Sequence, residues 1–373
     1  MGNPVVDACS AARSDGIVTC FYRSDAWVEH RAEDQLKHVS TWAGVTKIAA
    51  FPDLHPGKYG PVGCAVLADR VYPQLIGNDI GCGMSLFELD LPVRKLKLEK
   101  AVRRIRALGE PLDQPQADRL EECGLATDLF PTALGTIGGG NHFCEVQTLV
   151  DADADCGLDT GLTYLLVHSG SRGLGNATLA ALPEGAFEGL EGEGASAYMA
   201  AHDLAVRWAR LNRLIIAERA ADALRADVRL ISDVPHNMLQ QTNDGWLHRK
   251  GAAIEGDLVP VAGSRATPSY VVRPKSTVAA LGSLAHGAGR RYDRSSMHGR
   301  VRGKKSDIAA MERNPFGGRI ICEDRDLLIE EAPQAYKSAE SVVADLEATG
   351  VATRVATLHP LLTFKKIRQE GVR

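Results

Sequence analysis

Leu204, Trp208, Leu211 and Ile215 fall at i, i+4, i+7 and i+11, the recurrence that lays one apolar stripe along a helix. The pattern predicts a helix over residues 198–226 that packs by this stripe against a core. Shorter helices are predicted over 98–108 and 338–349, stopped by Gly109 and Gly350. Apolar runs at 64–67, 162–167, 228–231 and 269–272 read as strands. Between them the Gly- and Glu-rich stretch 182–197, LPEGAFEGLEGEGASA, reads as an exposed loop.

The unusual polar residues come directly after the strand-like runs. One run ends in His168-Ser169-Gly170-Ser171-Arg172-Gly173, and another leads into Pro235-His236-Asn237. Rigid sheets commonly position functional loops in this way. Such segments spread from Asp53 to Lys365 with no internal repeat and no linker between them. The expectation is therefore one interwoven domain of the α+β class over residues 1–373. It would have mixed sheets flanked by helices, and active-site loops at strand ends over about 51–365.

Composition narrows the picture. With 45% hydrophobic residues, a chain of 373 can bury a large core. The formal net charge of -4 gives no global field that would draw in nucleic acid, so any RNA contact needs a local basic patch. The eight cysteines are scattered without a CxxC pair, which argues against a disulfide framework. The start MGNPVVDACSAARSDG lacks the basic-then-apolar order of a signal peptide, and no run approaches the ~20 apolar residues of a membrane span. A cytoplasmic protein with reduced thiols is expected.

Five segments carry the candidate chemistry: PDLHPGK around Asp53, DIGCGM at 79–84, GGGNHFCE at 138–145, the His168 loop, and AHGAGR at 285–290. Each sets a His, Asp or Cys among glycines, which let a ligand approach the backbone closely. Asp79, Cys82, His142, His168 and His236 together offer O, S and N donors to a transition metal. Any one of these histidines alone could be structural, and Cys82 alone a small buried hydrophobe. His286 is followed by Gly287, Gly289 and Arg290, a setting suited to phosphate oxygens. It reads as a nucleophile for phosphorus, with a further metal ligand or a structural role as alternatives. Arg290, Arg291, Arg294, Arg300, Arg302, Lys304 and Lys305 face only Asp293 within 290–305, a run that is either a phosphate-binding patch or a solvated surface. The segment 299–305 has the wrong spacing for a P-loop, and no Gly-x-Gly-x-x-Gly opens a helix.

DIGCGM, GGGNHF, HSGSRG, PHN, HRKGA and HGAGR, in this order, resemble the RtcB family of RNA ligases. The resemblance implies a GTP- and manganese-dependent ligase that joins an RNA 3′-phosphate or 2′,3′-cyclic phosphate to a 5′-hydroxyl. His286 would carry GMP, which then passes to the RNA 3′ end. Two Mn²⁺ ions would be held by Asp79, Cys82, His142, His168 and His236, with Cys82 as a bridge. Asn141, Phe143, Glu145, Ser264, Tyr336 and Lys365 would bind the guanosine. Arg172 and Arg290 would hold RNA or triphosphate oxygens, and Asp53 would lie near the incoming 5′-hydroxyl. Because Tyr336 and Lys365 are close to the C-terminus, that end must fold back onto the site.

PDLHPGK, GTIGGGNHF, SLAHGAGR and ICEDRDLL further resemble the branch coupled to a release-factor-H-like protein. Three segments depart from the family. Arg265-Ala266 stand where Met-Gly usually follows the serine, Asp293 replaces the serine of the Arg-x-x-Ser-Arg motif, and KIRQEGVR extends past Lys365. Two rival readings of the sequence are a metal-dependent phosphoesterase that opens cyclic phosphates without ligation, and an RNA-binding protein with vestigial chemistry.

Overall fold

The computed structural model describes residues 12–112, 116–275, 277–301 and 305–367. Two sheets dominate. The first runs β1 (Arg13–Asp15), β2 (Val18–Cys20), β3 (Val45–His55), β4 (Val62–Ala68), β10 (Gly245–Lys250), β9 (Asn237–Thr242). The second runs β12 (Val259–Val261), β13 (Ser269–Pro274), β16 (Ala352–Lys366), β6 (Phe143–Ala152), β7 (Leu162–Ser169), β5 (Gly83–Pro92), β8 (Val228–Pro235), with β15 (Arg319–Cys322) also pairing β16. A small ladder of β11 (Ala252–Ile254) and β14 (Ser283–Ala285) lies beside them. The mixed sheets and flanking helices agree with the expected α+β class, and the four predicted strand runs all lie within strands.

The second sheet decides where the chemistry sits. β6, β7, β5 and β8 are neighbours, and each adjacent pair is antiparallel. The start of β6, the end of β7, the start of β5 and the end of β8 therefore share one edge. The register is explicit: Phe143 and Met84 both face His168, while Gly83 faces both Ser169 and Pro235. Four adjacent strands thus deliver His142, His168, Cys82 and His236 side by side. β16 lies between β6 and β13 and brings Lys365 to the same region, so the C-terminal part of the chain does return to the site.

The long helix spans Gly192–Leu224, so it begins within the stretch expected to be a loop. Its first turns bury Ala195 and Tyr198 in a core with Ile76, Ile80, Trp208 and Leu211. Burying an aromatic side chain stabilises by about 1.5–3 kcal/mol, which outweighs the roughly 1 kcal/mol cost of one helical glycine. Farther along, Ile216, Ala217 and Ala220 pack against Leu89, Val146, Leu165 and Val167 of the second sheet. The other predicted helices form as Leu98–Ile105, continued by a 3-10 turn to Gly109, and Ala339–Ala348. Among the described residues no helix is long and apolar enough to cross a membrane, and all seven cysteines are free.

Candidate metal and nucleotide site

The four strand ends and the loops around them enclose a pocket of about 720 Å³. Every predicted site residue except Asp53 lines it. On the metal side, Cys82 Sγ lies 3.4 Å from His142 Nε2 and 3.1 Å from His168 Nε2, and His168 Nε2 lies 3.3 Å from His236 Nε2. Asp79 Oδ2 is 2.9 Å from His142 Nε2. The donors divide into Asp79 with His142, and His168 with His236, with Cys82 between the pairs. Bonds to a tetrahedral ion put neighbouring donors roughly 3.3–3.8 Å apart, close to these separations.

Each donor is held by the backbone around it. His142 Nδ1 donates to Ile137 O at 3.1 Å, which leaves Nε2 with its lone pair. His168 shares a hydrogen bond with the Asn141 backbone. His236 N donates to Cys82 O at 2.8 Å, tying β8 to the thiol loop. Gly170 is required here, because a Cβ at this position would overlap the Asp79 carboxylate.

Burial drives the pKa values of His168 and His236 far below the ordinary imidazole value, keeping both neutral as metal ligation demands. Burial, and then Asp79 beside it, push the Cys82 thiol well above its usual value. A cation at this point would reverse that and favour the thiolate. For Asp79 burial raises the pKa, but His142, Cys82 and Arg172 outweigh it and hold the carboxyl below its ordinary value. The residues present therefore fit a divalent metal centre, with the ligand atoms of Cys82, His142 and His168 all within 4.8 Å of one another.

His286 sits beside this cluster, its ring 4.3 Å from that of His236. Asp53 is fully buried behind it, with Oδ2 2.7 Å from His286 Nδ1 and 3.2 Å from His286 N. The ring contact is close but out of line for a hydrogen bond, since Nδ1 and Asp53 Oδ1 both lack an aligned partner. Gly289, at φ +69°, lies directly against the Asp53 carbonyl, where a Cβ would collide. Lys337 clasps the end of β3 on either side of Asp53 through Pro52 O at 2.9 Å and Leu54 O at 2.7 Å.

The remaining wall is rich in cations organised by one residue the sequence did not single out. Glu331 is buried and receives Arg290 Nη1 at 3.0 Å, Arg294 Nε at 3.4 Å, Lys365 Nζ at 3.8 Å and the Tyr336 hydroxyl. Burial opposes its charge, but Lys365, Arg290, Tyr336 and Arg294 together hold its carboxyl below the ordinary value. Arg290 also stacks over Tyr336 at 5.2 Å. Arg265, at a departure from the family pattern, donates to Leu328 O and Glu331 O at 2.9 Å each, so it pins the Ser264 loop to the end of the helix Arg325–Glu330. Glu145 is buried between Thr363 and Gln147, and burial raises its pKa to about 7.

Arg213 and Asn212 on the long helix were likewise not anticipated. Arg213 is buried against Asp233 at 2.7 Å and donates to Gly81 O at 2.7 Å and Ser169 O at 2.9 Å, bracing two donor loops from below. Asn212 holds Gly135 N and Thr136 O. The one available signal was a polar residue, Asn212, set within the stripe Trp208, Leu211, Ile215. Among the described residues, the arginines of the basic run 290–305 divide between two settings. Arg290 and Arg294 turn inward to Glu331, while Arg291 and Arg300 cover the Tyr292 ring. Residues 302–304 lie outside the described residues, as does the side chain of Lys305.

Neutral buried donors, a histidine backed by a carboxylate and a cation-lined pocket are the equipment of a metal-binding enzyme for anionic substrates. The profile of the family described as tRNA-splicing ligase RtcB matches residues 35–114 and 116–366. The chain is 40% identical over 372 residues to RNA-splicing ligase RtcB2 of Escherichia coli, covering 94% of this chain and 96% of that one. It is 28% identical to RNA-splicing ligase RtcB of Mycobacterium tuberculosis (88% and 99% covered). To tRNA-splicing ligase RtcB of Archaeoglobus fulgidus it is 26% identical (90% and 91% covered). The chain belongs to the RtcB family of RNA ligases.

Proposed function

We propose that this chain is a GTP- and manganese-dependent RNA ligase that joins a 3′-phosphate or 2′,3′-cyclic phosphate end to a 5′-hydroxyl end. The observation that carries the proposal is the setting of His286. Asp53 at Nδ1 favours the tautomer with its proton on that nitrogen, so Nε2 keeps the lone pair of a nucleophile. In guanylylation the Nε2–phosphorus bond forms as the bond to pyrophosphate breaks. An oxygen of the RNA 3′-phosphate then takes the guanylate from His286, giving the activated 3′-pp-G end, and a 5′-hydroxyl displaces GMP.

Two divalent ions, manganese by family precedent, would be held by Asp79 and His142 and by His168 and His236 with Cys82 shared, and would neutralise charge on attacked and leaving oxygens. Glu145 would accept from the guanine edge, with Asn141, Phe143, Ser264, Tyr336 and Lys365 completing the nucleotide wall. Arg172 and Arg290 supply cations for phosphate oxygens. Asp53 acts on the His286 side, where burial leaves its carboxylate facing the imidazole.

Mixing the protein with Mn²⁺ and α-labelled GTP should produce an acid-labile protein adduct that His286→Ala abolishes. Label that survives the substitution would sink the histidine intermediate. Opening of a cyclic phosphate without any labelling would indicate a phosphoesterase instead. A cytoplasmic role in RNA repair, coupled to a release-factor-H-like protein, is part of the same proposal. Its support is the resemblance of PDLHPGK, GTIGGGNHF, SLAHGAGR and ICEDRDLL to that branch. Sequencing the RNA junctions left unsealed in a deletion strain would separate ribosomal RNA from tRNA as the substrate.

A further inference from the structure

The chain carries a net charge of -4, yet residues 94–106 hold Arg94, Lys95, Lys97, Lys100, Arg103, Arg104 and Arg106 against one acid, Glu99. Most of this stretch is the amphipathic helix Leu98–Ile105. Ala101, Ile105 and the neighbouring Leu98 and Val102 pack into the core beside Ile216 and Ala220 of the long helix. The opposite face is cationic. Lys97, Lys100 and Arg104 recur at i, i+3 and i+7, so they share that face.

Two observations show that this face is uncompensated. Glu99 is engaged by Arg319 at 2.6 Å, and Arg106 is engaged by Glu323. Among the described residues, Lys97, Lys100, Arg103 and Arg104 have no ion pair. In addition, the pKa of exposed Lys100 is lowered, first by Arg104 and then by slight burial, Arg225, Lys97 and Arg103. Arg225, which caps the long helix, therefore adds to the same field. A like-charged cluster without internal acids loses free energy by standing alone and recovers it against a polyanion.

The face also leads to the chemistry. Where the helix ends, Leu108 and Gly109 line a groove of about 910 Å³ that continues to Gly138, Gly139, Arg172 and Lys365. Gly139, Arg172 and Lys365 belong to the catalytic pocket as well, so groove and pocket are continuous. Of the acids on the groove, Glu323 is neutralised by Arg106 and Asp324 by Lys366 at 2.8 Å, with Asp326 beside them. From Leu108 back to Lys100 is about 12 Å at 1.5 Å per helical residue.

We propose that the cationic face of the helix Leu98–Ile105, with Arg225, docks the phosphate backbone of the RNA body while the groove beside Arg172 leads its end to the metal cluster. The proposal rests on the RNA-ligase reading for its ligand and adds the surface that holds the RNA away from the break. An RNA contact is thereby assigned to residues 94–106 and 225, a surface separate from the run 290–305, where Arg290 and Arg294 are engaged by Glu331.

The test uses the full chain and the triple variant Lys97→Gln, Lys100→Gln, Arg104→Gln. Two broken RNAs are compared, one with duplex arms of about 20 base pairs, roughly two turns, and one trimmed to a few nucleotides on each side. Labelling by α-labelled GTP should be unchanged, since none of the three residues touches the pocket. For the long-armed RNA, KM should rise by about tenfold or more, and the slope of log affinity against log salt should fall by about two to three. The trimmed RNA should keep its kcat and KM. An unchanged KM and salt slope for the long-armed RNA would overturn the proposal, as would equal weakening of both RNAs. Loss of labelling in the unsubstituted protein would instead refute the ligase reading, and direct RNA binding by the two proteins would still decide the docking face.

Discussion

The two halves of the pocket are built in different ways. On the metal side Cys82, His142, His168 and His236 lie at the adjoining ends of four adjacent strands, which the antiparallel register brings together. On the nucleotide side Ser264, Arg290, Tyr336 and Lys365 come from segments far apart in the chain. Arg290, Tyr336 and Lys365 converge on a single buried carboxylate, Glu331. One half is organised by backbone hydrogen bonds and the other by charge. The first should therefore tolerate loss of a bracing side chain better than the second, but neither should tolerate loss of its central atom.

The largest effect is expected at Cys82, the donor common to both pairs. Cys82→Ala should leave fewer than one bound metal ion per chain and abolish guanylylation together with every later step, as read by metal analysis and α-labelled GTP. Normal labelling by this variant would break the assignment of Cys82 as the shared ligand. The strand ladder should nonetheless persist, because no backbone hydrogen bond depends on the thiol, and the circular dichroism spectrum checks this.

Glu331→Gln tests the other half. The change keeps the shape and removes the charge, leaving Arg290 and Lys365 against a neutral amide. Breaking a buried ion pair from one side typically costs about 3–5 kcal/mol. Partial exposure of Arg290 and Arg294 argues for the lower end, near 3 kcal/mol. Denaturant titration should show that loss, and the KM for GTP should rise while metal content stays normal. Unchanged GTP binding would mean that the cations hold their places without Glu331.

These halves were unequally legible in the sequence. Asp79, Cys82, His142 and His168 announced themselves by nearby glycines, because a ligand loop needs close backbone approach, whereas His236, between Pro235 and Asn237, stood out only by its place after a strand-like run. Their convergence was not legible, since it requires β5 to pair with both β7 and β8, partners 70 or more residues away in the chain. Glu331 and Arg213 had no local signature at all. A buried charge becomes intelligible only once its opposite is placed beside it, and the partners of Arg213, Asp233 with the Gly81 and Ser169 carbonyls, arrive through tertiary packing. The start of the long helix was missed for a similar reason, because Gly192 and Gly194 spoke for a loop and only the burial of Ala195 and Tyr198 overrides them.

The pH response of Glu145 separates charge from shape within the nucleotide half. Its carboxyl titrates near 7 when folded against an ordinary 4.5, so the folded state holds the proton more tightly. That contribution to stability is complete below 4.5 and is lost as pH rises through about 7. Binding should run the opposite way, because a guanine edge donates and the ionised carboxylate accepts. Between pH 8 and pH 6 the apparent GTP affinity should fall by about tenfold, following the ionised fraction of a group of pKa near 7. Glu145→Gln should flatten the profile and weaken the preference for GTP over ATP. A wild-type profile that is already flat would show that Glu145 does not read the base.

The smallest effect is expected where the chain departs from its family. Asp293 replaces a serine, yet its side chain accepts from Ser296 N at 2.8 Å and caps the helix Arg294–Arg300. Serine and aspartate are comparable N-caps, so the substitution preserves the local geometry that orients Arg294 toward Glu331. Asp293→Ser should therefore alter stability by less than about 0.5 kcal/mol, and Asp293→Ala should cost about 1 kcal/mol. Thermal denaturation measures both. If Asp293→Ser instead weakens GTP binding severalfold with stability unchanged, the aspartate has a role toward the nucleotide that capping does not explain. The charge-built half of the pocket would then extend one residue farther than Glu331 and its cations define it.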